Sequence, residues 1–166
     1  MWRSVGKGFV SVAEWPRTDA KHINKDADMQ EEFLKQIIDD VEQIKKISSI
    51  TPKGVKIFVS YPWKFKVYDI ILRNKTKAIN EITKEIMQTD MRKYGNATIG
   101  FIQSLYKKIN ELRPLVPRER QLNILNEAKP FLEKELQCNI SIEDAEKSQH
   151  DKAKQSTPQK PGILLE

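Results

Sequence analysis

Residues 55–71, VKIFVSYPWKFKVYDII, change their hydrophobic period in the middle, and that change decides the fold. Val55, Ile57 and Val59 alternate with Lys56, Phe58 and Ser60, the two-residue period of a strand. Tyr61-Pro62 ends it, because a proline biases the residue before it away from helix and suits the first helical turn itself. Trp63, Val67, Ile70 and Ile71 then follow at helical spacing to about Asn74. A strand feeding directly into a helix points to a mixed α/β arrangement rather than a pure bundle.

Downstream, Ile79, Ile82 and Ile86 repeat the helical stripe. A third helix is expected over residues 96–112 through Phe101, Ile102, Leu105 and Ile109, closed by Pro114 and Pro117. Residues 118–128 form a further helix through Leu122 and Leu125. Pro130 is expected to break it near Lys129, with a new helix carrying Leu132 and Leu136. Ile140 and Ile142 alternate with polar neighbours as a second strand, and residues 162–165 make a third. Between them, residues 146–160 (EKSQHDKAKQSTPQK) have almost no apolar side chains, so an exposed, mobile loop is expected.

Upstream, Met29, Phe33, Ile37, Val41 and Ile44 line one face of a helix over residues 28–47. Asp28 with Glu31 matches a capping box in which Asp replaces Ser or Thr. Residues 48–54 (SSITPKG) read as a hinge. The expected fold is α+β: an N-terminal segment with one long amphipathic helix, then a small mixed sheet of about three strands packed with four to five helices. The expected domains are residues 1–50 and 51–166.

Charge separates these parts. Residues 1–50 hold 8 Lys/Arg against 9 Asp/Glu, and the other 116 hold 21 against 14, so the positive surplus lies after the hinge. A basic module suits a polyanionic partner, although solubility alone would also account for it. No apolar run spans a bilayer and no secretory signal is seen at the N-terminus, so the cytoplasm is the expected location, without a membrane partner.

The sequence holds few groups in an arrangement that chemistry requires. One cysteine and two histidines cannot furnish a usual four-ligand zinc site, and no metal site is expected. Gly6-Lys7-Gly8-Phe9 lacks the Gly-Lys-Ser/Thr ending of a phosphate-binding loop, and no nucleophile elbow or kinase set is present, so no catalytic residue is assigned. Glu143, Asp144 and Glu146 fit a solvated strand end better than a Mg²⁺ site. Cys138 has no base beside it and reads as a small buried hydrophobe. His22 and His150 read as solvated. Trp63, with Lys64 and Lys66 beside it, has the pattern of a base-stacking platform, but its helical spacing favours core. The functional candidates are basic groups near chain breaks: Arg73, Lys75 and Lys77; Arg92 and Lys93; Arg113, Arg118 and Arg120; Lys147, Lys152, Lys154 and Lys160. Several of these converging on phosphates would bind RNA with a steep salt dependence.

Five stretches carry a resemblance: residues 8–16 (GFVSVAEWP), 31–46 (EEFLKQIIDDVEQIKK), 55–70 (VKIFVSYPWKFKVYDI), 127–136 (EAKPFLEKEL) and 156–166 (STPQKPGILLE). In order and spacing they resemble the C-terminal end of archaeal-type leucyl-tRNA synthetases, over essentially the whole chain. The resemblance implies that residues 1–50 close an anticodon-binding helical bundle. It implies that residues 51–166 form a tRNA-binding domain whose tail reaches bases at the tip of the long variable arm of leucine tRNA. The carried-over positions are Pro161, Gly162, Ile163, Leu164, Leu165 and Glu166, joined by Lys152, Lys154, Lys160, Arg113, Arg118 and Arg120.

The ATP-binding signatures of this synthetase class and its editing domain have no counterpart in these residues. No cofactor is therefore expected in this chain, ATP and Mg²⁺ being used by a catalytic core outside it. The expected partners are leucine tRNA and that catalytic portion, with no DNA. Phe33, Ile37, Val41 and Ile44 would pack on the bundle neighbours lying outside the chain. The competing reading is a protein-interaction adaptor that docks through the helix at residues 28–47.

Overall fold

The computed structural model describes residues 25–166. The expectations for residues 6–9, for His22 and for the resembling stretch 8–16 fall outside it. Six helices and a three-stranded mixed sheet make an α+β fold. The order is α1 (Lys25–Ser48), β1 (Gly54–Val59), α2 (Pro62–Arg73), α3 (Ile79–Met87), α4 (Asn96–Tyr106), α5 (Arg118–Leu136), β2 (Asn139–Asp144), α6 (Asp151–Gln155) and β3 (Gly162–Leu165), with three short 3₁₀ turns between.

β1 is the central strand, parallel to β2 (Gly54 opposite Asn139, Val59 opposite Asp144) and antiparallel to β3 (Val55 opposite Leu165, Phe58 opposite Gly162). Val55, Ile57 and Val59 face a core built with Phe33, Ile37 and Val41 of α1 and Ile124, Leu125, Leu132 and Leu136 of α5. The opposite face is covered too. Phe58 packs on Ala145 and Ala153 and is fully buried, as is Ser60. α2, α3 and α4 turn their stripes toward one another instead, forming a second core around Trp63, Val67, Ile71, Ile82, Ile86 and Ile102. The helices therefore divide: α1 and α5 cover the sheet, and α2–α4 form a helical unit of their own.

Trp63 stacks on Tyr94 at 4.9 Å between ring centroids and meets Phe101 edge-on, so it belongs to the second core and is closed to a nucleobase. Cys138 is half-buried beside the first core, and burial pushes its thiol up, away from the reactive thiolate.

Four expectations are corrected. Asp28 is not an N-cap, because the helix already runs from Lys25. α4 stops at Tyr106, and residues 109–111 form a separate 3₁₀ turn rather than a continuation to Leu112. Pro130 does not break α5, which is continuous from Arg118 to Leu136. Pro130 and Asn126, whose carbonyl loses its partner, are both exposed, so water can take over the missing bond. Leu125 and Leu132 are buried on either side. Each is worth roughly 1.5–3 kcal/mol, which offsets a proline cost of about 3 kcal/mol.

The packing of α1 is the fourth departure from expectation. Phe33, Ile37 and Val41, expected to await outside neighbours, are buried by this chain's own α5 and sheet, with Ile44 packed partly against the same core. Polar contacts tie α1 to the rest as well: Lys45 donates to the Leu136 carbonyl at 2.8 Å, and Lys160 pairs with Asp40 at 2.8 Å. The connection at residues 48–54 thus joins two elements of one core. It leaves α1 through Ser49 in the left-handed region (φ 55°). Its far end is fixed by Lys53 and Gly54 donating to the Glu166 carbonyl at 2.7 and 3.1 Å.

Candidate nucleic-acid interface

Residues 146–160 are ordered, against the expectation of a mobile loop, and the reason is polar rather than apolar. Three side chains from elsewhere in the chain satisfy their carbonyls. Ser60 donates to Ser156 at 2.9 Å, Lys64 to Lys154 at 2.7 Å and Ser156 at 2.6 Å, and Gln121 to Pro158 at 3.1 Å. Thr157 and Lys160 exchange backbone bonds of 2.9 and 3.1 Å, closing a tight turn before Pro161. Composition counts greasy side chains and cannot see donors supplied from a distance.

Lys64 is the least ordinary of the three. It lies in the first turn of α2, and a helical side chain leans toward the N-terminus, here over the end of β1. Its ammonium sits 5.4 Å from the Tyr61 ring and 5.7 Å from the Trp63 and Phe101 rings, and the residue is 8% exposed. Burial pushes its pKa below the ordinary lysine value. Lys64 is therefore not a phosphate ligand but the clamp that holds α6 and the turn after it. Lys64→Met should leave the carbonyls of Lys154 and Ser156 without their donor. The expected result is faster amide hydrogen exchange in residues 150–160 with little change in α3 and α4; uniform exchange would contradict the clamp.

The clamp positions β3. Gly54 and Glu166 exchange both backbone bonds, at 2.8 and 3.1 Å. Antiparallel alternation then turns the backbone groups of Gly162 and Leu164 toward β1, leaving those of Ile163 and Leu165 on the outer edge. Pro161, Gly162 and Ile163 are buried, Leu164 and Leu165 half-buried, and Glu166 exposed. Lys56 pairs with the Glu166 carboxylate at 2.6 Å. The tail thus offers backbone edges and its last side chains, not six free side chains.

The six candidate cations do not share one site. Lys152 and Lys160 line a cleft with Pro161, Gly162 and Ile163. Lys160 is also held by Asp40, and Lys154 pairs with Asp151 at 2.9 Å. Arg113 is exposed and lines a different cleft with Pro158 and Gln159. Arg120 donates to Gln30 across α1 at 3.2 Å. Arg118 is internal: it forms an ion pair with Asp144, and its Nε donates to the Ser60 carbonyl at 3.0 Å. Asp144 also accepts from the Glu146 N–H at 3.0 Å, which gives this carboxylate a structural role rather than a metal-binding one. Ser60, Lys64 and Gln121 are the positioning residues that sequence reasoning missed; only Lys64, interleaved with three aromatic residues, left a trace in the sequence.

No protein-family model matches the chain. Among curated relatives, it is 32% identical over 175 residues to a leucine–tRNA ligase of Methanocaldococcus jannaschii, covering 100% of the chain and 17% of the relative. The corresponding enzymes of Pyrococcus abyssi and Pyrococcus horikoshii are 31% and 32% identical over 170 residues, with the same coverage. The chain spans 17% of the length of these relatives. Its likeness is therefore to aminoacyl-tRNA synthetases, the ligases that charge tRNA for translation. More narrowly, the chain is homologous from end to end to a C-terminal region of archaeal-type leucine–tRNA ligases. Among the described residues, no helix is long and apolar enough to cross a membrane.

Proposed function

We propose that the chain is the tRNA-binding C-terminal portion of a leucine–tRNA ligase, positioning leucine tRNA by its long variable arm while a catalytic portion that uses ATP and Mg²⁺ performs the aminoacylation. The observation that carries this reading is the edge of β3. Outward N–H and C=O groups at Ile163 and Leu165, beside Lys152 and Lys160, suit unpaired bases flanked by phosphates, the form in which RNA sequence is mainly read. In this reading residues 1–50 are the terminal segment and last helix of an anticodon-binding bundle, residues 51–166 are the basic tRNA-binding domain, and α1 also braces the sheet. The adaptor reading loses its support, because the stripe it would dock is covered by α5 and β1.

Removing residues 161–166 would delete a strand of the sheet and test folding as much as recognition. Leu165→Pro is cleaner, since proline is tolerated on an outer edge and removes only the outward N–H. The parent chain should prefer a tRNA with a long variable arm over one with a short arm in a binding titration, and Leu165→Pro should shrink that preference at unchanged thermal stability. Equal affinity of the parent for both tRNAs would sink the assignment.

A further inference from the structure

The net positive charge of the chain sits in one part of the fold. Residues 62–113, running from the start of α2 to the turn at Pro114, hold 11 Lys/Arg against 5 Asp/Glu, while the other 114 residues hold 18 of each. The helical unit alone therefore accounts for the formal charge of +6.

Part of that charge converges at one end of the unit. Arg73 closes α2, Lys107 and Lys108 follow the end of α4, and Arg113 precedes Pro114. Three contacts bring these chain breaks together. The Lys75 ammonium donates to the Leu112 carbonyl. The Tyr106 hydroxyl donates to the Lys77 carbonyl at 3.4 Å. The Tyr68 hydroxyl donates to the Arg113 carbonyl at 2.8 Å and accepts from its N–H at 3.2 Å. Arg73, Lys107, Lys108 and Arg113 are all exposed. None of the four makes an ion pair among the described residues, whereas Lys66 and Lys77 of the same unit do. The C-terminal ends of α2 and α4 present about half a negative charge each, so four cations exceed what those ends can use.

This end also adjoins the tail. Arg113 lines a cleft with Pro158 and Gln159, and Gln159 donates to the Tyr68 hydroxyl at 3.3 Å. The next residue, Lys160, lines the cleft of Lys152 and β3. This end of the helical unit therefore adjoins the β3 cleft through residues 158–160, although Glu32 and Glu111 also line the Arg113 cleft and Asp40 pairs with Lys160.

We propose that Arg73, Lys107, Lys108 and Arg113 form a second RNA contact, which grips the phosphodiester backbone without reading sequence while β3 discriminates. The proposal rests on the tRNA reading above for the nature of the ligand. Each phosphate neutralised contributes about 0.9 to the slope of log affinity against log salt on a duplex. The four-fold variant Arg73→Gln, Lys107→Gln, Lys108→Gln, Arg113→Gln should therefore flatten that slope by about 3.6 if each cation neutralises one phosphate. It should weaken long-arm and short-arm tRNA alike, so that their affinity ratio is kept. The charge-matched variant Lys35→Gln, Lys46→Gln, Lys129→Gln, Lys134→Gln, on α1 and α5, should keep the parent slope. All eight positions lie outside the buried cores, and circular dichroism checks the fold.

A parent slope retained by the four-fold variant overturns the proposal, even if the chain prefers long-arm tRNA. An equal flattening by the control variant also overturns it, because net charge alone would then explain the effect. If the parent binds both tRNAs equally but only the four-fold variant flattens the slope, the phosphate contact stands and the long-arm reading falls.

Discussion

Gly162→Ala is expected to lower the thermal midpoint of the chain by roughly 6–12 °C and to loosen its C-terminal strand. A Cβ at position 162 would sit 2.4 Å from the Lys152 carbonyl oxygen, 3.1 Å from its carbon and 3.4 Å from the Phe58 Cβ. The first two are backbone atoms of α6, which Lys64 and Ser60 hold in place from below, so α6 cannot simply step aside. Overpacking of this kind costs about 1–3 kcal/mol, and the upper value applies where backbone meets backbone. Each kcal/mol moves the midpoint of a chain of this size by about 2–4 °C. Circular dichroism melting of parent and variant measures it, and an unchanged midpoint would show that α6 does not press on β3. The glycine in the closing stretch is thus fixed by the close approach of α6 to the strand.

Arg118→Ala is the second large effect. The Arg118 and Asp144 side chains are only 17% and 18% exposed, and Arg118 also serves the Ser60 carbonyl. Removing the arginine leaves the Ser60 carbonyl without this donor and the Asp144 carboxylate without its counter-charge, with the Glu146 N–H still donating to it. A fully buried pair broken in this way costs about 3–5 kcal/mol, and the partial exposure here reduces that to roughly 2–3 kcal/mol.

The loss depends on pH. Burial by itself would raise the Asp144 carboxyl. The Arg118 hydrogen bond, the Glu146 N–H and the charges of Arg118 and Lys147 outweigh burial and hold it below the ordinary value. Its stabilisation is therefore complete above about pH 3.9, the unfolded value, and disappears as pH falls through the folded one. The variant lacks most of this contribution at neutral pH already, so its stability deficit relative to the parent should shrink as pH falls below about 3.9. Urea titrations between pH 7 and pH 3 test this, and a deficit as large at pH 3 as at pH 7 would contradict it.

Both predictions fall on residues that the sequence and its resemblance offer as candidates for contact with RNA. A long cation in a basic chain looks the same whether its head meets a phosphate or an internal carboxylate. Arg118 and Lys64 are internal, while Arg73, a candidate by its place at a chain break, shares one end of the helical unit with Lys107 and Lys108, which nothing in the sequence sets apart. Convergence of this kind comes from contacts such as Tyr106 with Lys77 and Lys75 with Leu112, between residues 29 and 37 positions apart.

The period change at residues 55–71 determined β1 and α2 by itself. So did the stripes of α1 and α3, because a strand or helix buries one face and the sequence must place apolar side chains at that spacing. Resemblance in order and spacing was likewise enough to point to the ligase. Tertiary structure alone decided what those faces meet. It set α1 against its own sheet, carried α5 through Pro130 and converted a polar loop into a clamped α6. It also decided which cations remain for a partner. The physical reason is the same in each case: periodicity is a property of neighbours in the chain, whereas a donor for a distant carbonyl, a leucine opposite a proline or a carboxylate beside an arginine exists only after folding.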